Sequence, residues 1–253
     1  MTPADLALSY DTFKKDGFVV LRQFADPATF VLLRSIVVDH MLRNVAPLEY
    51  EADLNYPGAP ESRSAAGGNT VRRLLGAYDR DPALAQWATN AGVHAWLQGY
   101  WQSAVSLSRV HHNCVMTKHP NFGSATGWHQ DIRYWSFNTP ALISSWLALG
   151  PEYPDNGGLW FIPGSHRAHF DAARFDQATF FRTDIAENQA WIDRAVCPTL
   201  EPGDLVLFHC RTLHAARQNR SDAAKLSVVH TYHPADCLPT PGTRSASQQE
   251  IRL

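Results

Sequence analysis

The stretch Gly127-Trp128-His129-Gln130-Asp131 decides how the chain is read. His129 and Asp131 stand two residues apart. On a β-strand, successive side chains point to opposite faces, so an imidazole and a carboxylate at this spacing project into one space. A further imidazole from elsewhere in the chain completes a set of two His and one carboxylate. Such a set grips Fe(II) on one triangular face and leaves the opposite positions open for chemistry. His214 is the best candidate for the distant ligand. It opens a short strand soon after the turn residues Pro202-Gly203-Asp204 and the buried-strand run Leu205-Val206-Leu207-Phe208.

The residues alone leave that second imidazole open, because twelve histidines compete for it. His111 and His112 share one expected strand, so only one of them can face inward. His166 follows the turn residues Pro163-Gly164-Ser165. His209 lies five residues before His214 and so faces the other way on a strand. His230 and His233 fall near the end of the last strand.

Bulk composition narrows the setting. Apolar residues make up 45% and charged residues 18% of the chain, enough for a packed core and too few charges for wholesale disorder. A formal net charge of -2, with no Lys/Arg block, argues against nucleic acid or a membrane surface as partner. The polar start has no apolar signal-peptide core, and no run reaches the ~18 apolar residues of a membrane span. Cys114, Cys197, Cys210 and Cys237 form no CxxC pair and read as reduced thiols of a cytoplasmic protein.

In chain order, Gly17 to Leu21 reads as a strand. Asp26-Pro27 opens a helix with Phe30, Leu33, Val37 and Met41 on one face. Residues 46–70 read as a long loop, and Asp81-Pro82 begins a second helix running to about Tyr100. From Val105 the pattern turns to short strands, about 104–117, 126–135, 141–149, 158–163, 195–200, 204–208, 213–218 and 224–232. The insert at about 166–194 reads as loop and short helix. Gly242 to Gln249 is small and polar and reads as a fraying terminus. The fold expected is mainly β (α+β): a double-stranded β-helix, or jelly roll, with N-terminal helices packed outside. The division is a helical part about 1–103 and a jelly-roll core about 104–235, within one domain over 1–253.

Four stretches together resemble the phytanoyl-CoA dioxygenase family of Fe(II)/2-oxoglutarate oxygenases. They are Asp16-Gly17-Phe18-Val19-Val20-Leu21, Trp128-His129-Gln130-Asp131, Asn156-Gly157-Gly158-Leu159-Trp160-Phe161-Ile162-Pro163-Gly164-Ser165-His166, and Pro202-Gly203-Asp204 followed by His214-Ala215-Ala216-Arg217-Gln218-Asn219-Arg220-Ser221. The resemblance spans about residues 10–233. It implies that His129, Asp131 and His214 ligate iron and that His166 is a turn residue. It implies 2-oxoglutarate and O2 as cosubstrates, ascorbate as a supporting reductant, and release of succinate and CO2. Its usual anchor for the far carboxylate of 2-oxoglutarate is an Arg eleven positions after the distal His. Here that position is Lys225, which offers a point charge without the two-pronged contact. Ser221, Asn219, Lys118 and Trp146 fall at positions near the cosubstrate, and Arg217 or Arg220 could replace Lys225.

Related halogenases lack the metal-binding carboxylate, so Asp131 favours hydroxylation. Substrate contacts are expected from Arg72, Arg73, Arg109, His111, Asn113, Arg133, Tyr134 and Trp135, with Arg109, His111 and Asn113 alternating on one strand face. That lining suits a polar or anionic small molecule or a glycolipid, and the Kdo sugar of lipopolysaccharide is one example. The alternatives are an oxidative cyclase or desaturase of a secondary metabolite on the same fold, or a non-oxygenase cupin metalloenzyme.

Overall fold

A computed structural model describes residues 2–54, 56 and 58–253. Two antiparallel sheets face each other. The larger runs in the order β1 (Phe18–Leu21), β9 (Leu205–His209), β7 (Ile143–Ala148), β11 (Lys225–Pro234), β5 (Cys114–Lys118), β3 (Val71–Leu75), β2 (Leu48–Tyr50). β4 (Val105–Ser108) pairs with the far end of β11, and β12 (Ile251–Arg252) pairs with β4. The smaller sheet is β6 (Thr126–His129), β10 (His214–Ala216), β8 (Leu159–Phe161). This is the jelly roll expected. Three strands from before residue 104 extend its larger sheet.

The centre of the larger sheet is buried on both faces, and buried polar residues such as Ser144, Ser145, Ser227 and Lys225 are interspersed with apolar ones along its strands. On one face Leu226, Val228 and Tyr232 of β11 join Leu147, Leu205 and Leu207 against the helices. On the other, Val229, Trp146, Phe208 and Val206 meet Phe161, Leu159 and Ala216 of the smaller sheet. The helices are α1 (Pro3–Asp16), α2 (Pro27–Leu42), α3 (Ala77–Arg80), α4 (Pro82–Ala88), α5 (Ala91–Trp101) and α6 (Ala186–Ile192). Asp26 caps α2 as its side chain accepts from the Thr29 amide at 3.0 Å.

Several expected elements come out differently. The helix expected from Asp81 to Tyr100 is two, because Asn90 caps a new start by accepting from the Gly92 and Val93 amides. The region 104–117 is not one strand. β4 and β5 are separated by a turn in which His112 has φ +40°. Residues 195–200 make only single bridges, Val196 to Phe161 and Leu200 to Glu152. The loop 46–70 contains β2, and its Pro57 lies outside the described residues. α1 was not expected, since it buries little more than Phe13 and Ser9, too few positions to make a visible stripe.

The C-terminus does not fray. Thr240 N–H bonds Ser136 O at 2.8 Å, His233 Nε2 lies 2.7 Å from Glu250 Oε1, and Ile251 and Arg252 add a strand. Small polar residues read as mobile in sequence, but here they close local turns, as in Ala246 N–H to Thr243 O and Ser247 N–H to Arg244 O, and Ser245 accepts from the Ser136 amide.

The Pro202-Gly203-Asp204 turn fastens β9 to the corner between β1 and α2. Gly203 has φ +91°, and a Cβ there would come within 2.6 Å of Ala25 O. Asp204 is buried and accepts from Arg22 Nη1 (2.7 Å), the Gln23 amide (2.8 Å) and the Glu201 amide (2.9 Å). Asp204→Ala is therefore expected to cost about 3 kcal/mol, as for breaking a buried charge-assisted network. Urea unfolding of the variant against the parent chain measures it.

Candidate active site

His129 is the last residue of β6, and the β6–β10 ladder sets it opposite His214. The chain then leaves the strand. Gln130 is extended, and Asp131 opens a 3-10 turn, Asp131–Tyr134. The carboxylate thus reaches the imidazoles through the turn, where a continuous strand had been expected. Asp131 Oδ1 lies 3.7 Å from His129 Nε2 and 3.6 Å from His214 Nε2. Among the described residues, these three form the group of His, Cys, Asp or Glu whose donor atoms all lie within 4.8 Å of one another.

Each imidazole is oriented by its own backbone. His129 Nδ1 bonds Gly127 O at 2.9 Å, and His214 Nδ1 bonds Thr212 O at 3.0 Å. A carbonyl only accepts, so both protons sit on Nδ1 and both Nε2 lone pairs face the gap. Burial, then the nearby His214 and Arg133, holds His129 well below the ordinary imidazole range, which keeps that lone pair unprotonated. The buried Asp131 Oδ2 accepts no hydrogen bond among the described residues. His112 Nδ1 stands 3.5 Å from it and 3.0 Å from Ser144 Oγ. Two inward lone pairs and an unsatisfied buried carboxylate oxygen fit a divalent cation at their centre.

A cavity of about 1340 Å³ opens from this cluster. Lys225 lies on β11 opposite Lys118 of β5, in the other sheet from His214, so it faces the cluster across the cavity. Trp146 lines the same end, with Lys225 Nζ 4.6 Å from its ring centroid. The sequence had not flagged Glu152. It is fully buried and takes Trp146 Nε1 (2.9 Å), Ser227 Oγ (2.6 Å) and Lys225 Nζ (3.3 Å). Lys118 Nζ donates to Ser124 O at 2.6 Å and has no carboxylate within 4.0 Å among the described residues. Burial, then Arg72 and Lys225, pushes its ammonium down to about 7.

Asn219 and Ser221 do not line this cavity. Asn219 Nδ2 ties the Lys118 and Ala223 carbonyls, and Ser221 Oγ donates to Asn219 Oδ1, so the pair builds the turn before β11. Arg217 lies over the Trp160 ring, and Arg220 is exposed. Neither reaches the cavity to replace Lys225.

The expected substrate residues divide. Arg72 is committed to Glu51 (3.2 Å), Ser124 (2.6 Å) and Thr126 (3.0 Å), and Arg73 pairs with Glu49 at 3.2 Å. Arg109 pairs with Asp79 at 2.8 Å. The alternation of Arg109, His111 and Asn113 on one strand face fails, because residues 109–113 form the turn between β4 and β5. Asn113 instead takes the Tyr78 amide and donates to Arg109 O. His111 bonds Ser245 at 2.8 Å and lies against Trp135. Arg133 packs on the Phe180 and Tyr134 rings, at 4.0 and 4.4 Å, and its Nε and Nη2 have no partner among the described residues. Sequence reading also missed His112, masked by its neighbour His111, and the C-terminal residues Arg244, Gln248 and Gln249 on the cavity rim.

Fold and site together define a class: a jelly roll with a two-His, one-carboxylate centre at the mouth of a cavity. Comparison with known proteins narrows it. The family model for Phytanoyl-CoA dioxygenase (PhyH) matches residues 13–227. An ectoine dioxygenase of Bordetella bronchiseptica is 26% identical over 248 residues, 90% of this chain and 76% of that protein. Among solved structures, EctD from S. alaskensis with 2-oxoglutarate and 5-hydroxyectoine superposes with TM-score 0.76 at 20% identity, covering 98% of this chain and 82% of its own. The epimerase SnoN, in complex with Fe3+, alpha ketoglutarate and nogalamycin RO, gives 0.75 at 19% identity, covering 95% and 88%. The chain belongs to the phytanoyl-CoA dioxygenase family of Fe(II)/2-oxoglutarate-dependent oxygenases.

His112 supplies a test of the centre. His112→Ala should weaken Mn(II) binding by roughly tenfold, the low end of the effect of a residue beside a metal-binding carboxylate, since its ring stands 3.5 Å from Asp131 Oδ2 with no hydrogen bond to it. Equilibrium dialysis against Mn(II) reads it, with circular dichroism confirming the fold.

Proposed function

We propose that the chain is one dioxygenase domain over 1–253 that hydroxylates a C–H bond of a polar or anionic small molecule, with succinate and CO2 released. His129, Asp131 and His214 hold Fe(II), and Lys118 and Lys225 hold the far carboxylate of 2-oxoglutarate. One observation carries the reading: two Nε2 lone pairs, fixed by backbone hydrogen bonds, converge on a carboxylate whose outer oxygen is unsatisfied. When bound, the iron and its keto acid supply the oxidising chemistry.

The protein's share is orientation and exclusion of water. The two strands fix the imidazoles, and the turn at Asp131 fixes the carboxylate. Phe161, Phe208 and Phe180 pack around the two rings and keep them from turning. Glu152 holds Lys225 toward the cavity and offsets its charge, so the two lysines together present about one net charge, suited to one carboxylate. The acid sugar Kdo belongs to the substrate class proposed. A second reading, epimerisation or ring closure with the same ligands, draws support from the likeness to the epimerase SnoN and the carbocyclase SnoK.

Adding Fe(II) and 2-oxoglutarate without O2 should produce a weak visible charge-transfer band, and His129→Ala should abolish it. A chain that releases succinate with His129 removed would refute the ligand assignment. The same band, titrated against pH, tests Lys118. A bound carboxylate favours the ammonium, so its pKa rises on binding. Affinity for 2-oxoglutarate should therefore fall as pH rises above about 7, by up to tenfold per unit. Lys118→Gln should flatten that dependence.

A further inference from the structure

The cavity is far more basic than the chain. Eight cationic side chains line it against three carboxylates, Glu49, Asp79 and Asp131, in a protein of net charge -2. Glu51 and Glu152 stand behind Arg72 and Lys225 and offset two more. Three positive charges remain in excess. An Fe(II) ion and a 2-oxoglutarate dianion cancel each other, so the excess is left for something else. Arg72, Arg73, Arg109 and Lys225 each have a carboxylate within 4.0 Å, and Lys118 is assigned to the cosubstrate. Arg80, Arg133 and Arg244 have none among the described residues. Arg80 is spent on the Val45 and Pro47 carbonyls. Arg133 donates through Nη1 to the Ala178 and Thr179 carbonyls and keeps its buried Nε and Nη2 unpartnered, and the side chain of Arg244 makes no hydrogen bond among the described residues.

Arg244 reaches the rim on a strap that crosses from the Asp131 side of the cavity to β4. Ser245, beside it, is buried. It accepts from the Ser136 amide at 2.8 Å and bonds His111 Nε2 at 2.8 Å. These two partners belong to the segments that carry Asp131 and His112. The His233–Glu250 pair and the β12–β4 ladder fasten the far end. The strap is thus held rigidly at both ends, while Arg244, Gln248 and Gln249 between them face the cavity.

We propose that this strap is a substrate-binding element, with Arg244 and Arg133 receiving a phosphate-type dianion on the substrate. The inference rests on the cosubstrate reading above, which takes Lys118 and Lys225 out of the count. Arginine's planar fork suits phosphate, and an excess of three charges exceeds what a single carboxylate would match.

The test uses inorganic pyrophosphate as probe and the full-length, metal-free chain, followed by calorimetry. This separates it from the charge-transfer experiment, whose failure would be a failure of the iron reading alone. Pyrophosphate should bind. Arg244→Ala should weaken it by about tenfold, the loss of one charge-assisted hydrogen bond. Arg244→Lys should recover part of that loss, and Arg220→Ala, on the surface away from the cavity, should change nothing. No binding at millimolar probe, equal binding by Arg244→Ala and the parent chain, or an equal loss in Arg220→Ala would each overturn the proposal. Arg244 is exposed and unbonded, so its removal leaves the fold intact, which thermal melting verifies.

Discussion

Everything in the site depends on the antiparallel pairing of β6 with β10. That ladder sets His129 opposite His214 and brings their rings to 4.1 Å between centroids. Their Nε2 lone pairs, held toward one point next to a carboxylate, concentrate negative potential there. A cation relieves it. The larger sheet serves this arrangement through an apolar patch on its inner face. It leaves the smaller sheet one firm surface to pack on, through Trp146, Val206 and Phe208.

The fold class and the His129/Asp131 pair were legible because they depend on short-range signals, whereas His214 needed the family resemblance to single it out from twelve histidines. Period-two strands, the Asp26-Pro27 start of a helix and the Pro-Gly-Asp turn are local chemistry that needs no partner to be recognised. What was illegible depends on partners. Asp131 looks like a strand residue by spacing, and only the chain's turn after Gln130 shows otherwise. Arg72 and Arg73 read as ligand-binding arginines until Glu51 and Glu49 appear beside them. Glu152 carries no local signal at all, since a lone acid in Pro151-Glu152-Tyr153 looks like surface. The terminal segment reads as loose for the same reason: its composition hides the sheet edge waiting for it.

The cavity's charges fall into two kinds. Those with a carboxylate behind them are held in place before any ligand arrives, so little order is left to impose on binding. The glutamates behind Arg72 and Lys225 are completely buried, and they fix geometry more than they add attraction. The arginines without an acid keep their full charge for a visitor. A site built this way separates rigidity from attraction and assigns them to different residues.

Each metal-facing imidazole is pinned to the carbonyl two residues before it in the chain. Ring tilt is therefore set inside a three-residue unit, with Phe161, Phe208 and Phe180 packed around the rings. The two units can move only as their strands move. The width of the gap is then a property of backbone register, and slippage of one strand by a single residue would turn an imidazole to the far side of the sheet. An ion seated there would act as a staple across the two strands and oppose that slip.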